Sequence, residues 1–288
     1  MSRTQASILL IAVFVARGTS FLFSKTLMMS MTPMSVLAVR FILAFLILAV
    51  AFNGKLRHCD RNSFRGGVIL GAMYTICMIF EMYGLRKIDT GVASLIENMA
   101  IVLVPVFVAA LTRTMPRRKT MLCALLAVVG VGFLSLAQSE ISGGGLGILL
   151  AVCAAVTYAF CIITTEKVSQ DADPITIGIV QLGTMGVLSL VISLITGSFG
   201  LPQNGQQWGM ILMLVLVCSC FGFAFQPLGQ KYLSAETAAV FTVVNPFTTS
   251  ILGIAVMKET ITGVKLIGYA LILAALVIYN MKAAAEKA

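Results

Sequence analysis

The sequence predicts an all-α polytopic membrane protein, with ten transmembrane helices arranged as two inverted five-helix repeats. Of its 288 residues, 59% are hydrophobic and only 11% are charged, whereas about a quarter of the residues in a soluble protein are charged. The apolar residues form near-continuous blocks of bilayer length instead of amphipathic stripes. The segments between these blocks are too short to form a soluble domain.

Apolar blocks of about 20 residues mark the ten predicted spans. Their approximate bounds are 6–28, 33–52, 66–86, 91–111, 118–137, 145–166, 174–196, 207–230, 235–256 and 262–281. Four prolines lie at boundaries between blocks: Pro33, Pro116, Pro174 and Pro202. The first block contains Arg17 and has no small-residue cleavage site after it, so we expect a retained span and not a signal peptide.

The basic residues indicate the orientation of the chain in the membrane. Thirteen of the 20 lysines and arginines fall in segments on one side of the predicted bundle and five on the other, while Arg17 and Arg40 lie within spans. By the positive-inside rule, both termini are expected on the cytoplasmic side of a bacterial cytoplasmic membrane. The net charge of +9 therefore reflects topology, and no nucleic-acid partner is predicted.

An internal repeat follows from the number of spans. Five spans per half force the second half, residues 139–288, to enter the membrane from the side opposite to the first half, residues 1–138, as in many secondary transporters. Three residues of the first half, Gly84, Arg86 and Ala93, align at one offset with Gly229, Lys231 and Ala238 of the second. Prolines inside the fourth, eighth and ninth spans either kink the helices or free carbonyl groups that line a cavity; these are Pro105, Pro227 and Pro246.

Four charged residues lie well inside predicted spans: Arg17, Arg40, Glu81 and Glu97. Each costs about 2.5 to 3.5 kcal/mol at the centre of a helix on insertion scales, so they are expected to face one another or water. Arg40 and Glu97 each lie seven residues, ~10 Å, from the same membrane surface, which predicts an Arg40–Glu97 ion pair and leaves Arg17 for Glu81. Fixed structural ion pairs and a role in substrate binding or proton coupling both remain open.

Polar residues at helical spacing extend this charged layer on both halves. The candidate substrate or coupling residues are Arg17, Arg40, Tyr74, Glu81, Glu97, Asn98, Tyr158, Gln181, Gln226 and Asn245. We expect them to line a polar path between the halves, charged mainly on the wall of the first half.

Neither a cofactor nor a metal site is predicted. Six of the seven cysteines lie within apolar blocks, where cysteine behaves as a small hydrophobe, and the single histidine, His58, lies in an arginine-rich loop. The sequence contains neither HExxH nor GxGD, so an intramembrane protease lacks its catalytic groups and no enzyme activity is expected. A channel or a scaffold protein is the remaining alternative class, and saturable flux would separate a carrier from both.

Several short motifs resemble the EamA branch of the drug/metabolite transporter superfamily. LAVRF at residues 37–41 is similar to the second-helix pattern of that family, and FVARGTSF at 14–21 and TYAF at 157–160 are similar to its first- and sixth-helix boxes. NPF at 245–247, followed by VMKET at 256–260, resembles its ninth-helix proline and terminal glutamate. Arg17 stands where the family usually has tryptophan, and Tyr158 stands at the equivalent position in the sixth helix.

The resemblance, which covers essentially the whole chain, implies a transporter that exports small metabolites by alternating access through a cavity between the repeats. The balanced charges favour amino acids or similar zwitterions. An exchanger of anionic or phosphorylated metabolites and an exporter of organic cations or drugs are the alternatives. The expected partners are a small-molecule substrate and the lipid bilayer, with the proton as candidate coupling ion, and the chain is expected to act as a monomer or weak homodimer.

Overall fold

A computed structural model gives the fold, and it describes residues 1–113, 118–138, 143–170, 172–242 and 244–285. These residues form helices joined by short connections, with no β-strand among them. The helices of the first half are α1 (Arg3–Leu27), α2 (Pro33–Ala51), α3 (Asn53–Arg57), α4 (Arg61–Leu85), α5 (Thr90–Glu97), α6 (Ala100–Leu111) and α7 (Arg118–Gln138).

The second half begins with α8 (Gly144–Gln170), α9 (Pro174–Ile195) and α10 (Gly205–Met213). A π-helix, Leu214–Phe223, continues α10, and it is followed by α11 (Gln226–Gln230), α12 (Ala235–Phe241), α13 (Val244–Met257) and α14 (Gly263–Ala285). The spans of the second half therefore follow one another in the same order as those of the first half. The predicted boundary between them, after residue 138, stays a prediction, and residues 139–142 lie outside the described residues.

The predicted membrane spans are confirmed by helices of the required length and hydropathy. The part of the chain that the structure describes contains eight helical segments long and apolar enough to cross a bilayer. Shorter apolar stretches, Met121–Leu134 and Gly263–Ala275, lie where the fifth and tenth spans are predicted. The fold is an all-α polytopic membrane protein of two five-span repeats.

Capping residues explain where several spans begin. The Thr32 side chain accepts a hydrogen bond from the Ser35 backbone N–H before Pro33 begins α2, and Asp173 does the same for Thr176 before Pro174 begins α9. Proline suits the first helical position because that N–H has no partner within a helix. The predicted boundaries at Pro33 and Pro174 are thus confirmed, whereas Pro116 lies outside the described residues.

Helices of the two halves pack against each other through glycines. Gly67 and Gly71 bring α4 against Val180 and Thr184 of α9. Gly130 of α7 likewise contacts α14. Small residues allow this close approach, which drives helix association in a membrane where burial of apolar surface contributes little. The spacing of four residues between Gly67 and Gly71 is typical of such close helix packing.

Two spans are broken at equivalent positions of the repeat. The fourth span ends as α5 at Glu97 and resumes as α6 at Ala100, and the ninth ends as α12 at Phe241 and resumes as α13 at Val244. The offset that aligns Gly84 with Gly229 also aligns Glu97, the last residue of α5, with Thr242, directly after α12. Broken helices in corresponding spans are the usual sign of a binding site in transporters.

Side chains that bond to the backbone accompany both breaks. Asn98 donates its Nδ2–H to the carbonyl of Ser94 at 2.7 Å, and the Thr242 hydroxyl donates to the carbonyl of Ala239 at 2.7 Å. Such bonds compete with the helical ladder. Pro246 also has no N–H to offer the carbonyl of Thr242, four residues earlier. In the fourth span, by contrast, the break lies well before Pro105, which stays inside α6.

We expect the substitution Gly71→Ala to destabilise the protein. An added Cβ would lie 2.5 Å from Cβ of Thr184 and 2.8 Å from the carbonyl oxygen of Gln181, so α4 and α9 would have to separate, at a typical cost of about 1–3 kcal/mol. The measurement is the melting temperature in detergent. Gly132→Ala is the control, because among the described residues no atom outside the neighbouring backbone of its own helix lies within 4 Å of its Cβ position, and alanine favours helix. Equal melting temperatures for the two variants would contradict the prediction.

Candidate functional site

Arg17 of α1 is buried among neutral groups of the second half. Its Nη1 donates hydrogen bonds to the Tyr158 hydroxyl at 3.0 Å and to Oε1 of Gln226 at 2.7 Å. Its guanidinium also lies 4.2 Å from the ring centroid of Phe223, a favourable cation–π geometry. The predicted Arg17–Glu81 ion pair is wrong, because no acidic oxygen of the described residues lies within 4 Å of Arg17.

Arg40 of α2 is also held by neutral acceptors. Its Nε donates to the Ser219 hydroxyl at 2.7 Å and its Nη1 to the Ser20 hydroxyl at 2.9 Å. Its Nη2 is buried and finds no acceptor among the residues that the structure describes. The predicted Arg40–Glu97 ion pair is therefore also wrong. The hydroxyl groups of Ser219 and Ser20, and not the carboxyl group of Glu97, lie within bonding distance of Arg40.

Glu81 of α4 and Glu97 of α5 are neighbours. Each carboxyl group influences the other electrostatically, and the two residues are only 5% and 1% exposed. In the described part of the chain, no N–H or hydroxyl group donates to either oxygen of Glu97. Glu97 is thus a buried carboxyl without a donor from the protein.

Gln226 connects Tyr74 to Arg17 through hydrogen bonds. Besides accepting from Arg17, it donates from Nε2 to the Tyr74 hydroxyl at 3.0 Å. It lies in α11, directly after the π-helix of the eighth span, and π-helical segments are frequent at functional sites. Asn245 of α13 belongs to the same region, since it lines a cavity that also includes Arg17 and Glu81. This cavity has room for about one water molecule.

Eight of the ten predicted site residues therefore lie in one buried region between the halves, here called the central cluster. Its members are Arg17, Arg40, Tyr74, Glu81, Glu97, Tyr158, Gln226 and Asn245. Asn98 lies beside the cluster at the helix break, where its side chain turns back onto Ser94. Gln181 is buried at the contact of α9 with Gly71, and nothing in the described contacts joins it to the cluster.

Three contact residues were not among the predicted site residues. Ser20 and Ser219 follow the predicted polar faces, but their role as acceptors for Arg40 depends on the rotation of the spans. Phe223 lies beneath both guanidinium groups, 4.2 Å from Arg17 and 5.7 Å from Arg40. A phenylalanine in an apolar span gives no sequence signal for this contact.

The sequence matches the EamA-like transporter family over residues 4–136 and again over residues 145–281. The chain belongs to the EamA-like transporter family. The two matches agree with the two five-span repeats of the fold and confirm the resemblance that the motifs indicated, to the EamA branch of the drug/metabolite transporter superfamily.

Relatives of this EamA-family protein support the same assignment. An uncharacterized transporter of Archaeoglobus fulgidus is 25% identical over 240 residues, covering 81% of this chain and 84% of the relative. A second uncharacterized transporter of that organism is 24% identical over 287 residues, covering 98% and 88%. A protein of known crystal structure has the same fold, with a TM-score of 0.71, 17% identity, and coverage of 97% of this chain and 99% of its own. Family and relatives are thus transporters, and a multi-pass membrane protein is the shared architecture.

A charged cluster joins the two halves at one end of the EamA-family bundle, and we call it the latch. The carboxylate of Glu259 accepts hydrogen bonds from the backbone N–H and hydroxyl of Thr90, both at 2.6 Å, and from the N–H of Gly91 at 3.3 Å. It therefore caps the N-terminus of α5, where a negative charge is favourable. Lys25 lies 3.8 Å from the same carboxylate.

A second ion pair of the latch also joins the two halves. Nζ of Lys265, from α14, lies 2.5 Å from Oδ2 of Asp89 and donates to the Thr260 carbonyl at 2.7 Å. These side chains are largely buried, at 7% exposure for Lys265 and 19% for Asp89. Partly buried pairs are screened less than surface pairs, so the latch ties the two halves together at this end of the bundle.

The opposite end is joined by weaker, more exposed contacts. Lys55 lies 2.8 Å from Asp173, with 43% and 36% of the two side chains exposed. Partial burial opposes ionisation of Asp173, but hydrogen bonds from Lys55 and Thr176 outweigh it and hold the pKa of Asp173 below its ordinary value. Exposed pairs of this kind typically contribute at most about 1 kcal/mol. The two halves are thus joined at both ends, and more firmly at the latch end.

We expect Glu259→Ala to open the latch end. The substitution removes the acceptor of two backbone N–H groups of α5, and each hydrogen bond to a charged group is worth about 1.5–3 kcal/mol. A cysteine placed at Ser94, which is fully buried in α5, should then react with a soluble maleimide about tenfold faster or more. Mass spectrometry of the detergent-purified protein would locate the modification.

The control for the latch is Lys55→Ala in the same Ser94→Cys background. It removes a cross-half ion pair at the other end and should leave the modification rate of the cysteine unchanged. If Glu259→Ala and Lys55→Ala have the same effect, the latch is not what closes access to α5.

Proposed function

We propose that this EamA-family protein is a secondary active transporter of small zwitterionic metabolites, with amino acids as the first candidates. One observation carries the proposal: the central cluster has one cationic donor and one anionic acceptor left over. Nη2 of Arg40 lacks an acceptor, and the carboxyl of Glu97 lacks a donor, among the described residues. Their complement is a molecule with a carboxylate and an ammonium group.

Phosphorylated metabolites and organic cations, the two alternative substrate classes, match the unpaired groups of Arg40 and Glu97 less well. A phosphorylated metabolite carries about two negative charges, but Arg17 is already engaged by Tyr158 and Gln226, and the Glu81–Glu97 pair would repel it. An organic cation would suit Glu97, but it would bring a positive charge close to two buried arginines. A zwitterion leaves the net charge of the cluster unchanged, which is the least costly addition in a low-dielectric interior.

Alternating access follows from where the cluster lies. It is built from spans of both halves and lies beside the broken fourth span, while both ends of the bundle are closed by contacts between the halves. Opening the latch would expose the cluster to one side, and opening the Lys55–Asp173 end would expose it to the other. With the termini on the cytoplasmic side, as the positive-inside rule predicts, the latch faces outward. Export is the proposed direction, and a single chain contains the complete site.

The proposal predicts that binding requires both charged groups of the ligand. The common L-amino acids should raise the melting temperature of the purified protein, whereas their N-acetyl derivatives, which lack the ammonium, and their methyl esters, which lack the carboxylate, should not. Glu97→Gln should weaken amino-acid binding by roughly 10- to 150-fold, the equivalent of one hydrogen bond to a charged group. Exchange of the same amino acids should be measurable in proteoliposomes.

Glu166→Gln is the matched control for Glu97→Gln. The carboxylate of Glu166 caps the N–H of Ala235 at the far end of the bundle, so this variant should bind as wild type does. Stabilisation by phosphorylated metabolites or organic cations alone, with no response to amino acids, would overturn the zwitterion assignment. Amino-acid binding that is equally strong in Glu97→Gln would remove Glu97 from the site.

A further inference from the structure

Helix α1 carries a polar stripe that runs from the central cluster to the latch. Ser20 and Ser24 are four residues apart, so they share one face of the helix. At one end of the stripe, Ser20 accepts a hydrogen bond from Arg40 of the cluster. At the other end Lys25, which follows Ser24, lies 3.8 Å from Glu259 of the latch. Ser24 therefore lies between the two sites.

Helix α5 carries a second stripe between the same two sites. Thr90, Ser94 and Glu97 are spaced four and three residues apart and so share one face. The hydroxyl of Thr90 donates to Glu259 of the latch, whereas Glu97 belongs to the central cluster. Ser94 lies between them, ~6 Å along the helix from Thr90 and ~4.5 Å from Glu97.

Helix α13 carries the third stripe and contacts both other helices. Asn245, Thr249 and Gly253 are four residues apart on one face, and Asn245 lines the cavity of the central cluster. The hydroxyl of Thr249 donates to the carbonyl of Gly18 in α1 at 2.9 Å. A Cβ added at Gly253 would lie 2.6 Å from Oγ1 of Thr90 in α5. The three stripes therefore adjoin one another between cluster and latch.

Each stripe has one polar atom without a hydrogen-bond partner among the described residues. These atoms are Oγ of Ser24, Oγ of Ser94 and Oδ1 of Asn245, and the three residues are at most 1% exposed. A buried polar group without a partner destabilises a folded protein, and alanine would fill nearly the same space as serine without that cost. Packing of the helices therefore does not by itself account for the two serines.

We infer that Ser24, Ser94 and Asn245 line a polar path along which the substrate passes between the central cluster and the latch. When the latch opens and α1, α5 and α13 separate, water enters the path and supplies the partners that these atoms lack. The same atoms then offer hydrogen bonds to a polar substrate as it loses its own water. Passage of the substrate rests on the proposed function, whereas hydration of the path does not depend on which substrate is carried.

Thiol accessibility tests the path without any substrate. Ser24→Cys and Ser94→Cys, each combined with Glu259→Ala to open the latch, should react with a small charged methanethiosulfonate about tenfold faster or more than with Glu259 present. Ser189→Cys is the control, because Ser189 is equally buried in α9 and lies on none of the three stripes. Its rate should not change. Mass spectrometry would distinguish the introduced cysteine from the native ones.

Three results of the labelling would overturn the path. Faster reaction of Ser94→Cys alone would remove α1 from it, and no acceleration at either serine position would place access elsewhere. Equal acceleration of Ser189→Cys would show that the whole bundle loosens. If Glu259→Ala does not fold, Lys265→Ala replaces it, since this variant removes the ion pair with Asp89 in the latch, and the same three results apply.

Passage of the substrate is tested by exchange of the common L-amino acids in proteoliposomes. The double variant Ser24→Ala, Ser94→Ala should exchange them roughly fivefold more slowly or less, the equivalent of two neutral hydrogen bonds lost along the path. It should melt at the same or a higher temperature, because neither Oγ has a partner to lose among the described residues. Ser189→Ala should exchange as wild type does.

The two measurements separate this inference from the proposed function. A lower melting temperature of the double variant with unchanged exchange would make the two hydroxyl groups structural and overturn their role in passage. Absence of amino-acid exchange in the wild-type protein would overturn the proposed function. The labelling rates would still decide whether Ser24 and Ser94 line a path from the latch.

Discussion

The absence of water in the bilayer core governs this structure. A charged or polar group in a span must be satisfied by the protein or face a cavity, and the four charged residues deep within the spans accordingly turn toward the contact between the halves. The arginines find serine, tyrosine and glutamine acceptors, but Nη2 of Arg40 stays without one among the described residues. The carboxyl group of Glu97 likewise receives no donor there.

The same requirement explains how the broken spans are tolerated. A helix that stops in the membrane leaves backbone groups without partners, so the breaks lie in the protein interior, with Asn98 and Thr242 buried beside them. In the first half, the break is placed directly after Glu97, so the last residue of α5 is also the carboxyl that lacks a donor. The helix break and the carboxyl group that lacks a donor therefore lie at the same place, as in transporters that bind ions at discontinuous helices.

The sequence was sufficient to predict the spans but not their rotation. Hydropathy and prolines located the spans, because these signals depend on spacing along the chain. Arg40 and Glu97 both lie in the central cluster, yet their predicted pairing is wrong, since the facing partner depends on how each helix is rotated about its axis. The contact of Phe223 with both arginines and the Glu259 cap of α5 both require tertiary structure and have no local signal.

Helix α5 physically connects the latch to the central cluster. Its N-terminus is held by Glu259 and its C-terminus carries Glu97, only seven residues or ~10 Å away. A segment of two turns bends little, so under the proposed function a ligand that displaces Glu97 also displaces Thr90 and its bonds to Glu259. The break after Glu97 lets α5 move without α6. The short, separately bounded helix is therefore the element through which occupancy of the site can change closure at the latch end.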